Sequence, residues 1–211
     1  MRLLGVKMNH YYAYLLRQIM ECNKIVSIYA DQQHPDEFLV GYLEKVDAQH
    51  YLLCEFTPWG EVDAYRVRRM QDVSSILYGE EYEERIALML KLRGRKIRRI
   101  LPKDCQCEDG VLVTVLQHCR ERREIVTLIA GQDLYCGRVK ECNGLYVTME
   151  LFDFFGRVEG NETFELRSIE ILQLRSGEEE MFRCLEEHQA EIDKMEAEEP
   201  SYEDHHPDDI P

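Results

Sequence analysis

Short apolar runs separated by turn-forming residues occur twice along the chain, and each set lies between two amphipathic segments. Apolar residues spaced three and four apart predict helices over Asn9–Cys22, Glu80–Leu92, Gly110–Cys119 and Glu178–Lys194. The first set of predicted strands comprises Ile25–Ala30, Phe38–Val46, Tyr51–Phe56, Glu61–Val67 and Val73–Tyr78. The second set comprises Ile125–Ala130, Leu134–Cys142, Leu145–Leu151, Arg157–Phe164 and Ile169–Leu174. The chain therefore presents the same order of elements twice.

The two sets also resemble each other residue by residue. The matching segments are Ile25–Ala30 with Ile125–Ala130, Gly41 with Gly137, Tyr51–Phe56 with Tyr146–Leu151, Gly60–Val62 with Gly156–Val158, Met70–Val73 with Leu166–Ile169, and Gly79 with Gly177. An ordered series of this kind indicates an internal duplication. A period of about one hundred residues is too long for a solenoid repeat and is typical of two tandem domains.

Each copy is expected to close on itself, because closure of five short antiparallel strands removes their exposed edges. Gly41 and Gly137 lie inside the second strand of each copy, where a small barrel bends. The predicted fold class is α+β, mainly β. It consists of two tandem five-stranded SH3-like barrels, each with a preceding and a following helix.

A helix followed by five strongly bent strands resembles the Sm-like (Hfq-like) fold, over residues 9–79 and 110–176. The residues that carry the resemblance are Ile25–Ala30, Phe38–Leu43, Val46-Asp47, Tyr51–Glu55 and Val73–Ile76, with Gly137, Cys142-Asn143 and Ile169–Leu172 in the second copy. Sm proteins resemble one another in an Arg-Gly or Lys-Gly pair near the turn between strands four and five, and Hfq has Lys-His there. This chain has Arg66–Met70 and Thr163–Leu166 instead. The resemblance therefore implies the fold but gives poor support for RNA binding.

Charge divides the chain further. The net charge is −15, from 26 basic and 41 acidic residues, and the acidic excess is concentrated near the C-terminus. The opposite bias occurs over 91–103, which holds seven basic residues and no acidic one. The predicted organisation is a first unit at 1–92, a basic linker at 93–109, a second unit at 110–194 and an acidic disordered tail at 195–211.

Composition excludes several classes of function. Apolar residues make up 45% and charged residues 32% of the chain, as in soluble globular proteins. A strongly acidic chain is unsuited to general binding of nucleic acids or membrane surfaces, because both are polyanions. No phosphate-binding loop, nucleophile elbow or metal-binding His pair occurs. We therefore expect a non-catalytic protein without cofactor or metal. The N-terminal residues lack a signal-peptide core, so we expect this protein to be cytoplasmic and without membrane contact.

Eight cysteines leave one alternative open. Cys105 and Cys107, with His118 and Cys119 nearby, form the cluster most similar to a metal site. Their Cys-x-Cys spacing differs from the Cys-x-x-Cys of zinc knuckles, so we interpret them as ordinary thiols.

Basic and aromatic residues supply the candidate binding surface. The candidate nucleic-acid-binding residues are Arg66, Arg68, Arg69, Arg93, Arg95, Lys96, Arg98, Arg99, Trp59, Phe154 and Phe155. A further basic run comprises Arg120, Arg122 and Arg123. We expect a regulatory protein-interaction module that binds a protein partner or associates with itself. Binding of single-stranded RNA through the basic linker and the aromatic residues is the first alternative. An enzyme or metal protein is the second.

Overall fold

The computed structural model describes residues 2–30, 37–94 and 96–198. Its helices are α1 (Arg2–Glu21), α2 (Glu81–Leu92), α3 (Val111–Arg122), α4 (Gly177–Glu187) and α5 (Gln189–Glu198). Its first five strands are β1 (Ile25–Tyr29), β2 (Leu39–Val46), β3 (His50–Phe56), β4 (Val62–Arg69) and β5 (Ser75–Tyr78). The other five are β6 (Ile125–Ala130), β7 (Asp133–Cys142), β8 (Tyr146–Phe152), β9 (Val158–Glu165) and β10 (Ile169–Leu174). Short 3-10 turns, Met70–Asp72 and Leu166–Ser168, precede β5 and β10.

Capping boxes fix the start of two helices. Glu80 caps α2 with Glu83, and Ser176 caps α4 with Glu179, so the first N–H groups of both helices are satisfied. The single helix predicted over 178–194 is two helices, with a break at His188. The second of them extends to residue 198, four residues into the predicted tail, and 199–211 lie outside the described residues. No helix in the described part of the chain is long and apolar enough to cross a membrane.

The strands of the described residues form one large open antiparallel sheet, in the order β5-β1-β2-β3-β4-β10-β6-β7-β8-β9. The prediction of two closed five-stranded barrels is therefore wrong. Closure would require β4 to pair with β5 and β9 to pair with β10 within each copy. Instead β4 pairs with β10, with Val67 opposite Leu172 and Tyr65 opposite Leu174. This β4–β10 pairing is called the junction below. It occupies the edge of β4 that would have to pair with β5 to close the first barrel. The fold is therefore an α+β structure around one sheet.

Strand register shows how the two halves correspond. Gly41 lies opposite Glu55 in the first half, and Gly137 lies opposite Leu151 in the second, an offset of 96 residues. The segment equivalent to Tyr51–Phe56 is therefore Val147–Phe152, one residue beyond the alignment made from the sequence. The same offset makes Glu80 and Ser176 equivalent helix caps.

One hydrophobic core crosses the junction. Helix α3 contributes Val115 and Leu116 to it, β4 contributes Val67, and β10 contributes Leu172, all nearly or fully buried. A second core lies under α1, where Leu16 packs with Ile28, Tyr51 and other apolar residues of the first half. The two halves are thus joined by side-chain packing as well as by backbone hydrogen bonds.

The predicted basic linker is anchored to the first half. Ile100 and Leu101 are buried, and their backbone N–H groups donate to the buried carboxylate of Glu44 at 3.0 and 3.4 Å. Lys45 donates to the carbonyl groups of Lys103 and Cys105. The segment between the halves therefore has a fixed path along the end of β2.

Candidate functional site

The aromatic candidates lie on equivalent turns of the two halves. Trp59 is half exposed, and its indole nitrogen donates to Glu61 at 3.2 Å. Phe154 is 82% exposed and contacts Phe155 edge to face, with ring centroids 5.8 Å apart. Both turns rest on the helix that closes their half, since a Cβ on Gly60 would meet Met89 and one on Gly156 would meet Leu185.

Two of the three basic residues of β4, Arg66 and Arg69, connect this strand to its neighbours. Arg66 forms an ion pair with Glu55 and donates to Gln173 across the junction at 2.8 Å. Arg69 contacts Asp72 at 2.8 Å and Glu170 of the second half at 3.2 Å. The side chain of Arg68 is partly buried, and its Nε has no hydrogen-bond partner among the described residues. Arg66 and Arg69 are therefore engaged within the protein.

The basic residues after α2 separate into several places. Arg93 forms an ion pair with Glu61 at 2.8 Å. Arg99 is exposed and borders a pocket of about 200 Å³ beside Glu44. Lys96 and Arg98 are exposed and border a larger cleft, while Arg95 lies outside the described residues.

That larger cleft, the basic cleft below, occupies about 730 Å³ where the two halves meet. Its basic lining residues are Lys96, Arg98, Arg122, Arg123, Arg138, Arg175 and Arg183, and its acidic ones are Glu124, Glu179 and Glu180. Val62, Tyr65 and Ile125 complete the wall. Seven cations and three carboxylates meet here although the whole chain is strongly acidic.

Every carboxylate of the basic cleft already has a partner. Glu124 accepts two hydrogen bonds from Arg175, at 2.6 and 2.9 Å. Glu180 pairs with Arg183, and buried Glu179 accepts from Thr127. Among the described residues, no carboxylate forms an ion pair with Lys96, Arg98, Arg122 or Arg123.

The arrangement joins two basic runs that are separate in the sequence. Lys96 and Arg98 come from the segment after α2, and Arg122 and Arg123 come from the end of α3. The Tyr65 hydroxyl donates to the carbonyl group of Arg98, which fixes that segment against β4. The sequence contained both runs, but only the β4–β10 pairing brings them together.

The two outer edges of the sheet differ in chemistry. At β5, Leu77 and Tyr78 are 43% and 41% exposed. At β9, Glu159 and Glu162 are exposed, and Glu165 is partly buried at the end of the strand. One edge is therefore apolar and the other acidic.

Burial shifts the pKa of several other polar side chains. Burial lowers the pKa of His50. This side chain borders a cleft of about 420 Å³ between the two halves, which Asp109 and Glu165 also line. Burial raises the pKa of Cys54 and of Cys136 to about 12, so both thiols stay protonated at neutral pH. Among the described residues, no three His, Cys, Asp or Glu side chains are grouped to hold a metal ion.

Comparison with known proteins gives no family for this chain. No family model, no curated protein and no solved structure matches it. The resemblance to Sm-like proteins thus has no support from relatives, and function has to be argued from the geometry alone.

Proposed function

We propose that this chain is a protein-interaction module that binds an extended segment of another protein along β5. The observation that carries the proposal is the junction. Strand β10 accepts β4 as an antiparallel neighbour on its outer side, and the same side of β5 has no neighbouring strand among the described residues. An unpaired edge of this kind is a template for strand addition.

The equivalence of β5 and β10 supports this reading. In the first half Ser27 pairs with Leu77, and in the second half Thr127 pairs with Gln173. Leu77 therefore holds the position of Gln173, which binds Arg66 of β4. The outer backbone edge of β5 is therefore equivalent to the edge of β10 that pairs with β4.

The chemistry around β5 indicates the kind of segment that fits. Strand β4 alternates apolar and basic residues along the junction, where Tyr65 and Val67 are each followed by an arginine. Leu77 and Tyr78 supply apolar contacts at the free edge, and exposed Glu80, Glu81 and Glu84 follow at the start of α2. A segment of alternating apolar and basic residues would match both the apolar residues of β5 and the acidic start of α2.

The acidic edge at β9 disfavours a second copy as the partner. By the 96-residue offset, Glu162 and Glu165 hold the positions of Arg66 and Arg69 in the junction. A copy docked head to tail would place Glu162 against Leu77, with no cation opposite. Desolvation of such a carboxylate is costly, so the acidic edge limits chain growth between copies.

A pair of peptides tests the proposal. A labelled peptide with the sequence of residues 62–69, that of β4, should bind the full chain, with a Kd below about 1 mM, or roughly 4 kcal/mol. The matched control is an equally long peptide with the sequence of residues 158–165, that of β9, which should not bind. Fluorescence anisotropy measures both titrations.

Two variants locate the binding edge. Leu77→Lys places a cation on β5 and should weaken binding of the basic peptide, whereas Val158→Lys on β9 should leave it unchanged. Equal binding of both peptides, or unchanged binding by Leu77→Lys, contradicts a docking edge at β5. Sedimentation should show a monomer, and a dimer abolished by Leu77→Lys would assign the edge to a second copy instead.

A further inference from the structure

We infer that the basic cleft binds a compact ligand that carries several phosphate groups. Lys96, Arg98, Arg122 and Arg123 are exposed and form no ion pair with another described residue. Seven basic and three acidic side chains give the lining a formal charge of +4, within a chain of −15. A local excess of this sign attracts and orients anions.

The walls of the cleft are held in place before any ligand arrives. Arg175 is fixed by two hydrogen bonds to Glu124, and its guanidinium lies 5.8 Å from the centre of the Tyr65 ring. Arg138 pairs with Glu186 and donates from Nε to the carbonyl group of Arg123 at 3.1 Å. Fixed walls reduce the entropy lost when a ligand binds, because fewer side chains have to be ordered.

Phosphate is the anion that this set of side chains suits best. Three of the four cations that form no ion pair among the described residues are arginines. The planar guanidinium matches phosphate oxygens in pairs. The carboxylates of the lining are already bonded to Arg175, Arg183 and Thr127, so they have little freedom to bind a metal ion. A ligand with three or four negative charges would compensate the lining.

The shape of the cleft favours a compact ligand over an RNA strand. Its volume of about 730 Å³ lies within the range of small-molecule sites. Tyr65 is the one aromatic residue among the described residues of the lining, and Arg175 lies over it. The exposed aromatic residues Trp59 and Phe154 belong to the turns and do not line the cleft. Stacking platforms for bases, which single-strand binding uses, are thus missing from this wall.

Inorganic triphosphate is the probe that tests the inference. Isothermal titration of the full chain should show saturable binding that weakens as the salt concentration rises. Arg98→Ser with Arg122→Ser removes one cation from each of two segments of the cleft and should raise the Kd at least about tenfold, or about 1.4 kcal/mol. The control is Lys24→Ser with Lys91→Ser, which removes the same charge from exposed positions elsewhere, and it should change the Kd less than about twofold.

Each outcome supports or overturns the assignment. Absence of triphosphate binding, or equal weakening in both double variants, overturns it, because the attraction would then be nonspecific. A single-stranded RNA oligonucleotide serves as the competing probe. If it binds more tightly than triphosphate and depends on Arg98 and Arg122, the ligand is a nucleic acid and the assignment of a compact ligand is wrong. Thermal unfolding of both variants verifies that they are folded.

Discussion

Thr127 donates a hydrogen bond from its hydroxyl group to Oε1 of Glu179, 2.6 Å away, and both side chains are buried. The other oxygen of the same carboxylate accepts the N–H of Ser176 at 2.7 Å, which caps α4. Ser27 and Glu83 make the equivalent bond in the first half, where Glu83 also accepts the N–H of the helix cap. One glutamate therefore ties the closing helix of each half to its first strand.

Removing this hydroxyl group should destabilise the protein. Thr127→Val keeps the shape of the side chain but leaves a buried carboxylate with one bond fewer, so we expect a loss of about 1–3 kcal/mol in the free energy of unfolding. Urea unfolding measures it. The matched control is Thr163→Val, which removes an exposed hydroxyl pair with Thr148 and should change stability by less than about 0.5 kcal/mol. Equal losses at the two positions would show that the buried hydrogen bond contributes no more to stability than the exposed one.

A second prediction concerns a buried hydroxyl group without a partner. Tyr51 is fully buried, its oxygen has no hydrogen-bond partner among the described residues, and burial raises the pKa of its phenol. Tyr51→Phe removes a desolvated polar atom and keeps the ring, so stability should stay equal or rise by up to about 1 kcal/mol. Tyr65→Phe, which loses the bond to the carbonyl group of Arg98, should instead lose about 1 kcal/mol. A clear loss for Tyr51→Phe in the same unfolding assay would reveal a partner for its oxygen.

The third prediction is a pH dependence. Burial raises the pKa of Glu44 above its ordinary 4.5, although N–H groups of Ile100 and Leu101 act in the opposite direction. The folded state therefore holds this proton more tightly than the unfolded state. The contribution of Glu44 to stability is greatest below its ordinary pKa and falls as the pH rises through the raised value.

Glu44→Gln isolates this contribution, because glutamine keeps an acceptor oxygen and has no proton to lose. Relative to the original protein, the variant should become more stable as the pH is raised from about 5 to about 8. Urea unfolding at both pH values measures the difference. A stability difference that does not change with pH would contradict a raised pKa at Glu44.

The positions of the strands followed from the sequence, but their pairing did not. Alternating apolar residues locate β4 and β10 equally well whether β4 pairs with its own half or with the other. Backbone hydrogen bonds carry no residue identity, so the choice depends on side chains such as Arg66 and Gln173, 107 residues apart. The alignment of the two copies slipped in β3 because Tyr51 was matched to Tyr146. In the sheet, Tyr51 corresponds to Val147, and a slip of one residue moves a strand to its other face.

The site was predictable only in its parts. The sequence showed basic runs around Arg98 and Arg122, but it could not show that they meet, because their meeting depends on the junction. Arg66 and Arg69 looked equally available in the sequence, and contacts with Glu55 and Glu170 engage them. Opposite charges far apart along the chain decide which cations remain free, and spacing does not reveal such pairs.

The last prediction separates two glycines of the second half. Gly137 lies so close to β8 that an added Cβ would overlap the carbonyl group of Glu150, which is backbone and has little room to move. A Cβ on Gly160 of β9 would meet no atom within 4 Å. The equivalent of Gly160 in the first half is a buried alanine, Ala64. Gly137→Ala should therefore cost about 1–3 kcal/mol or more, because the two strands must separate. Gly160→Ala should be neutral or slightly stabilising, since alanine restricts the unfolded chain more than glycine does. Thermal unfolding of both variants measures the difference, and similar midpoints would show that β7 and β8 are not in close contact at Gly137.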